Sequence, residues 1–291
     1  MKLTNILNSG KFSLSFEVFP PKSNDDLEGV VSASEKIAAL KPSFISVTYG
    51  AGGGVRGKLT TTLAQTIKKN CGVETLAHLT CVASTKEDIE KRLSEYKAAG
   101  IDNVFALRGD MPNDIDAANK DRYLRNASDL VKEIRKSGDF CVGGACYPEK
   151  HPESANKQED IFFLKKKVDA GCDFLTTQMF FDNDLFYNFL YRLRDAGINV
   201  PVLAGIMPIT SAKQVERAVK LSGSFMPQKI ENLVDRFGGD PLAMKQAGIA
   251  YATEQIIDLY ANGIRNVHVY TMNKPDVAEK IMSNLSDIIG K

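Results

Sequence analysis

The chain has 291 residues, 43% hydrophobic and 25% charged, with a formal net charge of +1. This is an ordinary globular composition with enough chain for a large core, and the balanced charge offers no field for nucleic acid or an anionic membrane. No apolar run approaches the roughly 18 residues of a membrane span, residues 1–11 lack the apolar centre of a secretory signal, and the odd set Cys71, Cys81, Cys141, Cys146 and Cys172 has no Cys-x-x-Cys spacing, so a cytoplasmic protein with free thiols is expected rather than a zinc or iron–sulfur protein.

The first predicted strand is Leu14–Phe19, with Leu14, Phe16 and Val18 as one alternating apolar set and Pro20-Pro21 ending it. It contains one carboxylate, Glu17. A glutamate is almost never fully buried without a partner or a task. Two readings stand: a structural Glu paired with an Arg or Lys, or a general acid whose pKa is raised by its apolar strand. Leu27, Val30, Val31, Ile37 and Ala38 make the stripe of a first helix. A second strand, Phe44–Thr48, runs into Tyr49 and the glycine-rich turn 50–54, and a third spans Thr75–Cys81. Ser84-x-x-Glu87 reads as a capping box opening a helix with Ile89, Leu93 and Tyr96 on one side. Strands follow at Asn103–Leu107, Phe140–Tyr147, Phe174–Met179, Val202–Met207 and Asn266–Thr271. Stripes of Ile161, Leu164, Val168 and of Leu185, Phe189, Leu193 mark helices between them. The gap before the last strand holds an extra helix near Gln228–Phe237 and a long one over Pro241–Ala261; Pro275–Ile289 closes the chain.

Four helices end in Ala-Gly or Asn-Gly just before a strand, at Gly100, Gly171, Gly197 and Gly263, as a left-handed stop requires. Repeated helix-to-strand units without hairpin signals mean parallel strands with crossover helices. Eight such units predict an α/β fold, a (βα)8 TIM barrel with extra helices before strand 8 and at the C-terminus, as one domain over residues 1–291. The rival, an open doubly wound sheet, usually carries G-x-G-x-x-G after its first strand; here Pro20-Pro21 stands there.

Barrel active sites form at the C-terminal strand ends. Seven of those ends carry polar groups that apolar core packing would not select: Glu17; Thr48 and Tyr49; His78 and Thr80; Arg108, Gly109 and Asp110; Tyr147 to His151; Thr177 and Gln178; Tyr270 to Lys274. Each has a plainer alternative. The turn 50–54 lacks a following Gly-Lys-Ser/Thr and is no Walker loop. His78 suits a satisfied core histidine, Arg108 and Asp110 an exposed ion pair, and Lys165-Lys166-Lys167 a solvated helix face. Their co-location points to a large polar ligand, and loops rich in Gly, Thr, His, Lys and Tyr suit a long cofactor with phosphates and rings. No histidine pair has metal-ligand spacing and no Gly-x-Ser-x-Gly elbow occurs.

The order and wording of the motifs resemble the methylenetetrahydrofolate reductase family. They are Ser15-Phe16-Glu17-Val18-Phe19-Pro20-Pro21-Lys22, Ser46-Val47-Thr48-Tyr49-Gly50-Ala51, His78-Leu79-Thr80-Cys81, Ala106-Leu107-Arg108-Gly109-Asp110, Tyr147-Pro148-Glu149-Lys150-His151-Pro152, Lys167-Val168-Asp169-Ala170-Gly171, Thr177-Gln178 and Tyr270-Thr271-Met272-Asn273. The length resembles the compact bacterial form, a catalytic barrel without a regulatory domain.

That resemblance implies an FAD-containing oxidoreductase that reduces 5,10-methylenetetrahydrofolate to 5-methyltetrahydrofolate. A reduced nicotinamide would reduce the flavin and leave, and the folate would take its place and accept hydride from flavin N5. By the same resemblance Glu17 matches the acid that protonates folate N10, Asp110 a carboxylate near flavin N1 and the folate, and Gln178 a pterin-binding amide; Lys274 joins the substrate set. Thr48, Tyr49, His78, Arg108, Gly109, Asp110, Asn126, Ala127, Ala145, Tyr147, His151, Asp160, Lys166 and Lys167 fall at cofactor-contact positions. Arg108, His151 and Lys167 are expected at phosphates and Asp160 at ribose hydroxyls. Two positions depart from the pattern. Asn126 stands where relatives often carry Tyr, and Ala218 where some carry an aromatic, with Phe225 or Phe181 as its substitutes. NADH, NADPH or a partner protein as reductant, and a homo-oligomer or a redox partner subunit, stay open, as do an FMN or methyl-transfer barrel and a flavin- or folate-binding subunit of a larger complex.

Overall fold

A computed structural model describes residues 1–21, 26–49, 55–82, 84–110 and 124–290. The glycine-rich turn 50–54 and Lys22 lie outside the described residues. A short helix α1 (Leu3–Leu7) leads into β1 (Ser13–Val18). Then follow α2 (Leu27–Ala39), β2 (Ile45–Val47), α3 (Val55–Cys71), β3 (Thr75–Thr80), α4 (Lys86–Ala98), β4 (Asn103–Leu107), α5 (Ala127–Ser137), β5 (Cys141–Cys146) and α6 (Lys157–Asp169). The chain continues through β6 (Phe174–Thr177), α7 (Asn183–Asp195), β7 (Val202–Ile206), α8 (Ala212–Ser222), α9 (Gln228–Phe237), α10 (Pro241–Ala261), β8 (Asn266–Tyr270) and α11 (Pro275–Ile289). All eight strands are parallel, each pairs with the next, and β8 pairs with β1 to close the barrel. Gly100, Gly171, Gly197 and Gly263 take φ of 72°, 114°, 70° and 85°, the left-handed helix stops that their positions demanded.

The two faces of each strand do different work. On β1, Leu14, Phe16 and Val18 join the core between barrel and helices, with Val30, Ile37 and Ala38 of α2. Ser15 and Glu17 belong to the alternate set, which looks into the lumen. The lower lumen is filled by Phe44, Leu76, Phe105, Cys141, Phe174 and Leu203, and α1 stops this end with Leu3 and Leu7. Sequence reading gave no helix there; five residues are too few for a periodic stripe, although Leu3 and Leu7 have the i, i+4 spacing of one face.

The capping box sits one residue later than expected. Thr85, not Ser84, is the N-cap of α4: its hydroxyl accepts from the Asp88 N–H at 3.2 Å, and the Asp88 carboxylate accepts from the Thr85 N–H at 3.0 Å. The Ser84 N–H is already committed to the Cys81 carbonyl in the preceding turn, so the helix starts after it.

Candidate active site

Glu17 lies at the upper end of β1, beside Ser46 of β2 and Tyr270 of β8 in register. Three polar side chains converge on its carboxylate. His78 Nε2 is 3.6 Å from Oε2, His268 Nε2 is 3.8 Å away, and the Ser46 hydroxyl donates at 3.5 Å. His268 is itself held on both ring nitrogens, by the Ser15 hydroxyl at 2.8 Å and the Ser46 hydroxyl at 3.2 Å. His78 packs its ring against Phe105, with centroids 4.8 Å apart. No Arg or Lys meets Glu17 among the described residues, so the expected ion-pair alternative is replaced by two imidazoles.

The electrostatics correct the expectation for Glu17. Burial pushes its carboxyl up, but the contact with His268, the proximity of His78 and the Ser46 hydrogen bond outweigh it, leaving it below the usual 4.5. Its apolar sequence neighbours face the opposite side of the strand, so they do not surround the carboxylate. Burial drives His78 down to about 4, against the opposing pull of Glu17. At neutral pH the protein presents an ionised Glu17 beside a neutral His78.

Tyr270 closes one side of the lumen by donating to the Thr177 carbonyl at 2.6 Å. Its ring crosses Gly205, where a Cβ would come within 2.4 Å of the Thr177 oxygen and 2.8 Å of the tyrosine hydroxyl. Only glycine fits there. The Gln178 side-chain oxygen accepts from the Met179 N–H at 2.9 Å, and its NH2 makes no hydrogen bond among the described residues. Lys274 donates to Thr210 at 2.7 Å at the rim between the loops after β7 and β8. Asp110 is exposed at the rim, past Gly109, whose φ of 85° and close contacts with Thr80 and Val82 make the turn glycine-specific.

Alongside lies a cavity of about 770 Å³ between the loops after β4 and β5 and helices α5 and α6. Arg108, Tyr147, His151, Asp160 and Lys167 line it, with Asn126, Ala127, Ala145 and Lys166. Nine of the positions expected to hold a cofactor therefore share one chamber. Thr48, His78, Gly109 and Asp110 are not part of its wall. Tyr49 turns away from it: its hydroxyl lies over Gly57 of α3 and its ring joins the outer core.

The chamber is rich in donors. Arg108 makes a bidentate ion pair with Glu153 at 2.5 and 2.7 Å, which holds the guanidinium above its usual range, and so does not form the anticipated pair with Asp110. The lysine triplet divides: Lys165 pairs with Asp169 on the surface, while Lys167 is carried inside, donates to the Ala145 carbonyl at 2.6 Å and is held below its usual pKa by burial. The Asn126 side chain does not cap the N-terminus of α5, and Ala127, Ser128 and Asp129 of its first turn line the cavity, so the positive end of the helix dipole lies at the cavity wall. Burial pushes the Tyr147 hydroxyl up to about 12, and its ring meets His151 edge-on.

Sequence reasoning missed His268, Glu153 and Phe163. His268 was legible in principle, because it shares the inward register of Asn266 and Tyr270. Phe163 lines the cavity and is 51% exposed, an aromatic surface that no core accounts for. Of the two aromatics considered in place of Ala218, Phe181 is buried with Ile209, Ile230 and Met244, whereas Phe225 is 55% exposed, its N–H tied to Glu149 at 2.7 Å.

Comparison with known proteins agrees with this arrangement. The methylenetetrahydrofolate reductase profile matches residues 2–286. The 5,10-methylenetetrahydrofolate reductase of Pectobacterium carotovorum is 35% identical over 276 residues, 95% of this chain and 91% of that protein. The Escherichia coli enzyme of the same name is 33% identical over the same shares. Methylenetetrahydrofolate reductase (NADH) 1 of Arabidopsis thaliana is 36% identical over 98% of this chain and 50% of its own length. Among solved structures, a Clostridium thermocellum protein described as binding two copies of 5-methyl-5,6,7,8-tetrahydrofolic acid superposes with a TM-score of 0.65 at 16% identity, covering 100% of this chain and 99% of its own; it shares the fold. With a profile match almost end to end and bacterial relatives of similar length, this barrel belongs to the methylenetetrahydrofolate reductase family of oxidoreductases.

Proposed function

We propose that the chain, acting as one catalytic barrel domain over residues 1–291, reduces 5,10-methylenetetrahydrofolate to 5-methyltetrahydrofolate with FAD as its cofactor and a reduced nicotinamide as the electron source. The observation that carries this reading is the presence of two neighbourhoods at the C-terminal strand ends: a donor-lined chamber of about 770 Å³, and a carboxylate–imidazole cluster in the lumen.

The chamber suits FAD by its chemistry. Arg108, His151, Lys167 and the α5 N-terminus would take the diphosphate, and Asp160 the ribose hydroxyls. FAD, when bound, would supply the two-electron hydride chemistry that no side chain here can perform. The cluster supplies the proton. Opening the folate's five-membered ring requires a proton at N10, and in this reading Glu17 would deliver it. In the open lumen Glu17 is ionised, and its side chain keeps about 20% exposure to water. A flat pterin lying over it removes that water and shifts the carboxyl upward, so the proton is held there only once substrate is in place. His268, fixed between Ser15 and Ser46, keeps the carboxylate oriented toward the lumen. The free NH2 of Gln178 would meet a pterin acceptor. Asp110 places negative charge at the rim, disfavouring an anionic reduced flavin and steadying the cationic ring-opened folate. The folate-binding neighbour and the plant relatives named for NADH are in keeping with these substrates.

The test is direct. Protein purified without added cofactor is examined by absorption and mass spectrometry of the released ligand. A yellow protein yielding FAD supports the reading. FMN alone, or a colourless protein that takes up no FAD, contradicts it.

A further inference from the structure

A carboxylate drawn into a barrel lumen calls for a counter-charge. Among the described residues no Arg or Lys meets Glu17; His78 and His268 do, at 3.6 and 3.8 Å. His78 is neutral near pH 7, because burial drives it down to about 4. Tyr270, which faces both His268 and Glu17, is also neutral, its hydroxyl pushed up by burial and by the carboxylate. That leaves His268, 3% exposed and one layer below Glu17 in register with Ser15.

The hydrogen bonds around His268 require the same charge. The Ser15 hydroxyl lies 2.8 Å from Nδ1 and 3.2 Å from the Val267 carbonyl. The Ser46 hydroxyl lies 3.2 Å from Nε2 and 3.5 Å from Glu17 Oε2. Each hydroxyl has one hydrogen to donate, and the carbonyl and the carboxylate can only accept. Each serine that donates to its oxygen partner has to receive a hydrogen from the ring. All four contacts are hydrogen bonds at once only when both ring nitrogens carry a hydrogen, so a neutral ring of either tautomer forfeits one of them. The ring also lies parallel to Phe44, at 9° with centroids 6.0 Å apart, which suits a cation beside an aromatic face.

We propose that His268 is the proton store of the site: it holds the proton as an imidazolium while the lumen is open and passes it to Glu17 when the folate covers the cluster. This role rests on the reading of Glu17 as the acid for folate N10, and it supplies the source of that acid's proton. In the open lumen the Glu17 side chain is 20% exposed, which keeps the ion pair within reach of water. A pterin that removes this water disfavours both charges, and one proton moved within the pair cancels both. The Nε2–H bond of His268 breaks toward the Ser46 oxygen, and the Ser46 O–H passes its own hydrogen to Glu17 Oε2. His268 is left neutral, with Nδ1–H still donated to Ser15. Glu17 then gives its proton to N10 and is a carboxylate again, and water entering as product leaves restores the imidazolium. His268 acts only through Glu17, as a positioning residue for the proton.

Two measurements on the full chain test this. Long-range 1H–15N correlation spectra of protein labelled at histidine distinguish an imidazolium from either neutral tautomer. The three histidines are His78, His151 and His268, so His78→Gln and His151→Gln complete the assignment. The His268 ring should carry hydrogen on both nitrogens near pH 7; a neutral ring overturns the proposal, and this spectrum decides even where His268→Gln fails to fold. The second measurement is anaerobic reoxidation of the reduced flavin by methylenetetrahydrofolate, followed against pH. Wild type should hold its rate from about pH 6.5 to 8, whereas His268→Gln, which stores no proton, should lose about tenfold per pH unit. A profile parallel to wild type reduces His268 to a structural part and overturns the proposal with Glu17 still the acid. A wild type that the folate does not reoxidise overturns the reading of the reaction itself, and the store with it.

Discussion

Glu17 shows why a residue's neighbours in sequence are not its neighbours in space. Phe16 and Val18 flank it along β1 but point outward into the helix layer, whereas Glu17 points inward to His78, His268 and Ser46. The carboxylate was legible as exceptional; the direction of its pKa was not, because that depends on partners from β2, β3 and β8. His78 carries a consequence for stability. It titrates near 4 in the folded protein against about 6.5 when unfolded. Between those values the unfolded chain binds the extra proton, so stability rises with pH across the window and is lost as pH falls through it, by up to about 3 kcal/mol. His151, also lowered by burial, acts in the same direction. Urea midpoints of wild type and His78→Gln from pH 7 to 4.5 should therefore diverge in slope, the variant losing less on acidification; parallel curves would contradict a neutral, buried His78. At the rim, Asp110→Asn should raise the flavin midpoint potential by removing a negative charge, as measured by equilibration with a dye of known potential; an unchanged potential would remove that electrostatic role.

At the scale of elements, periodicity carried most of the reading. β4, α9, α10 and α11 fall where alternation, caps and flanking glycine or proline put them, because each is long or sharply punctuated. What local pattern could not give was which of two adjacent candidates caps a helix. Ser84 and Thr85 both suit the role, and the choice rests on the turn that consumes the Ser84 N–H. Thr85→Ala should cost about 1 kcal/mol in urea unfolding. Ser84→Ala should cost markedly less, since the Ser84 hydroxyl does not cap α4; the reverse ranking would move the cap back. The short helix α1 was invisible for a different reason: its two leucines acquire meaning only against the lumen residues they seal, such as Phe44 and Phe174.

At the scale of the whole molecule, the closed barrel turns eight separate strand ends into one rim. That is why single weak signals, such as a lone histidine or a run of lysines, became informative together. The chamber gathers Arg108 and His151 with Lys167, residues up to 59 positions apart in sequence. The division of the lysine triplet into surface Lys165 and interior Lys167 could be seen only once α6 was set against β5. No helix among the described residues is long and apolar enough to cross a membrane. The central claim, that one rim serves both flavin reduction and folate reduction with Glu17 needed only for the second, is tested most directly by anaerobic stopped-flow on wild type and Glu17→Gln. NADH should bleach the flavin at similar rates in both proteins. Methylenetetrahydrofolate should then reoxidise wild type promptly and the variant at least a hundredfold more slowly, the scale of a lost general acid. Equal reoxidation, or loss of both half-reactions together, would contradict the account.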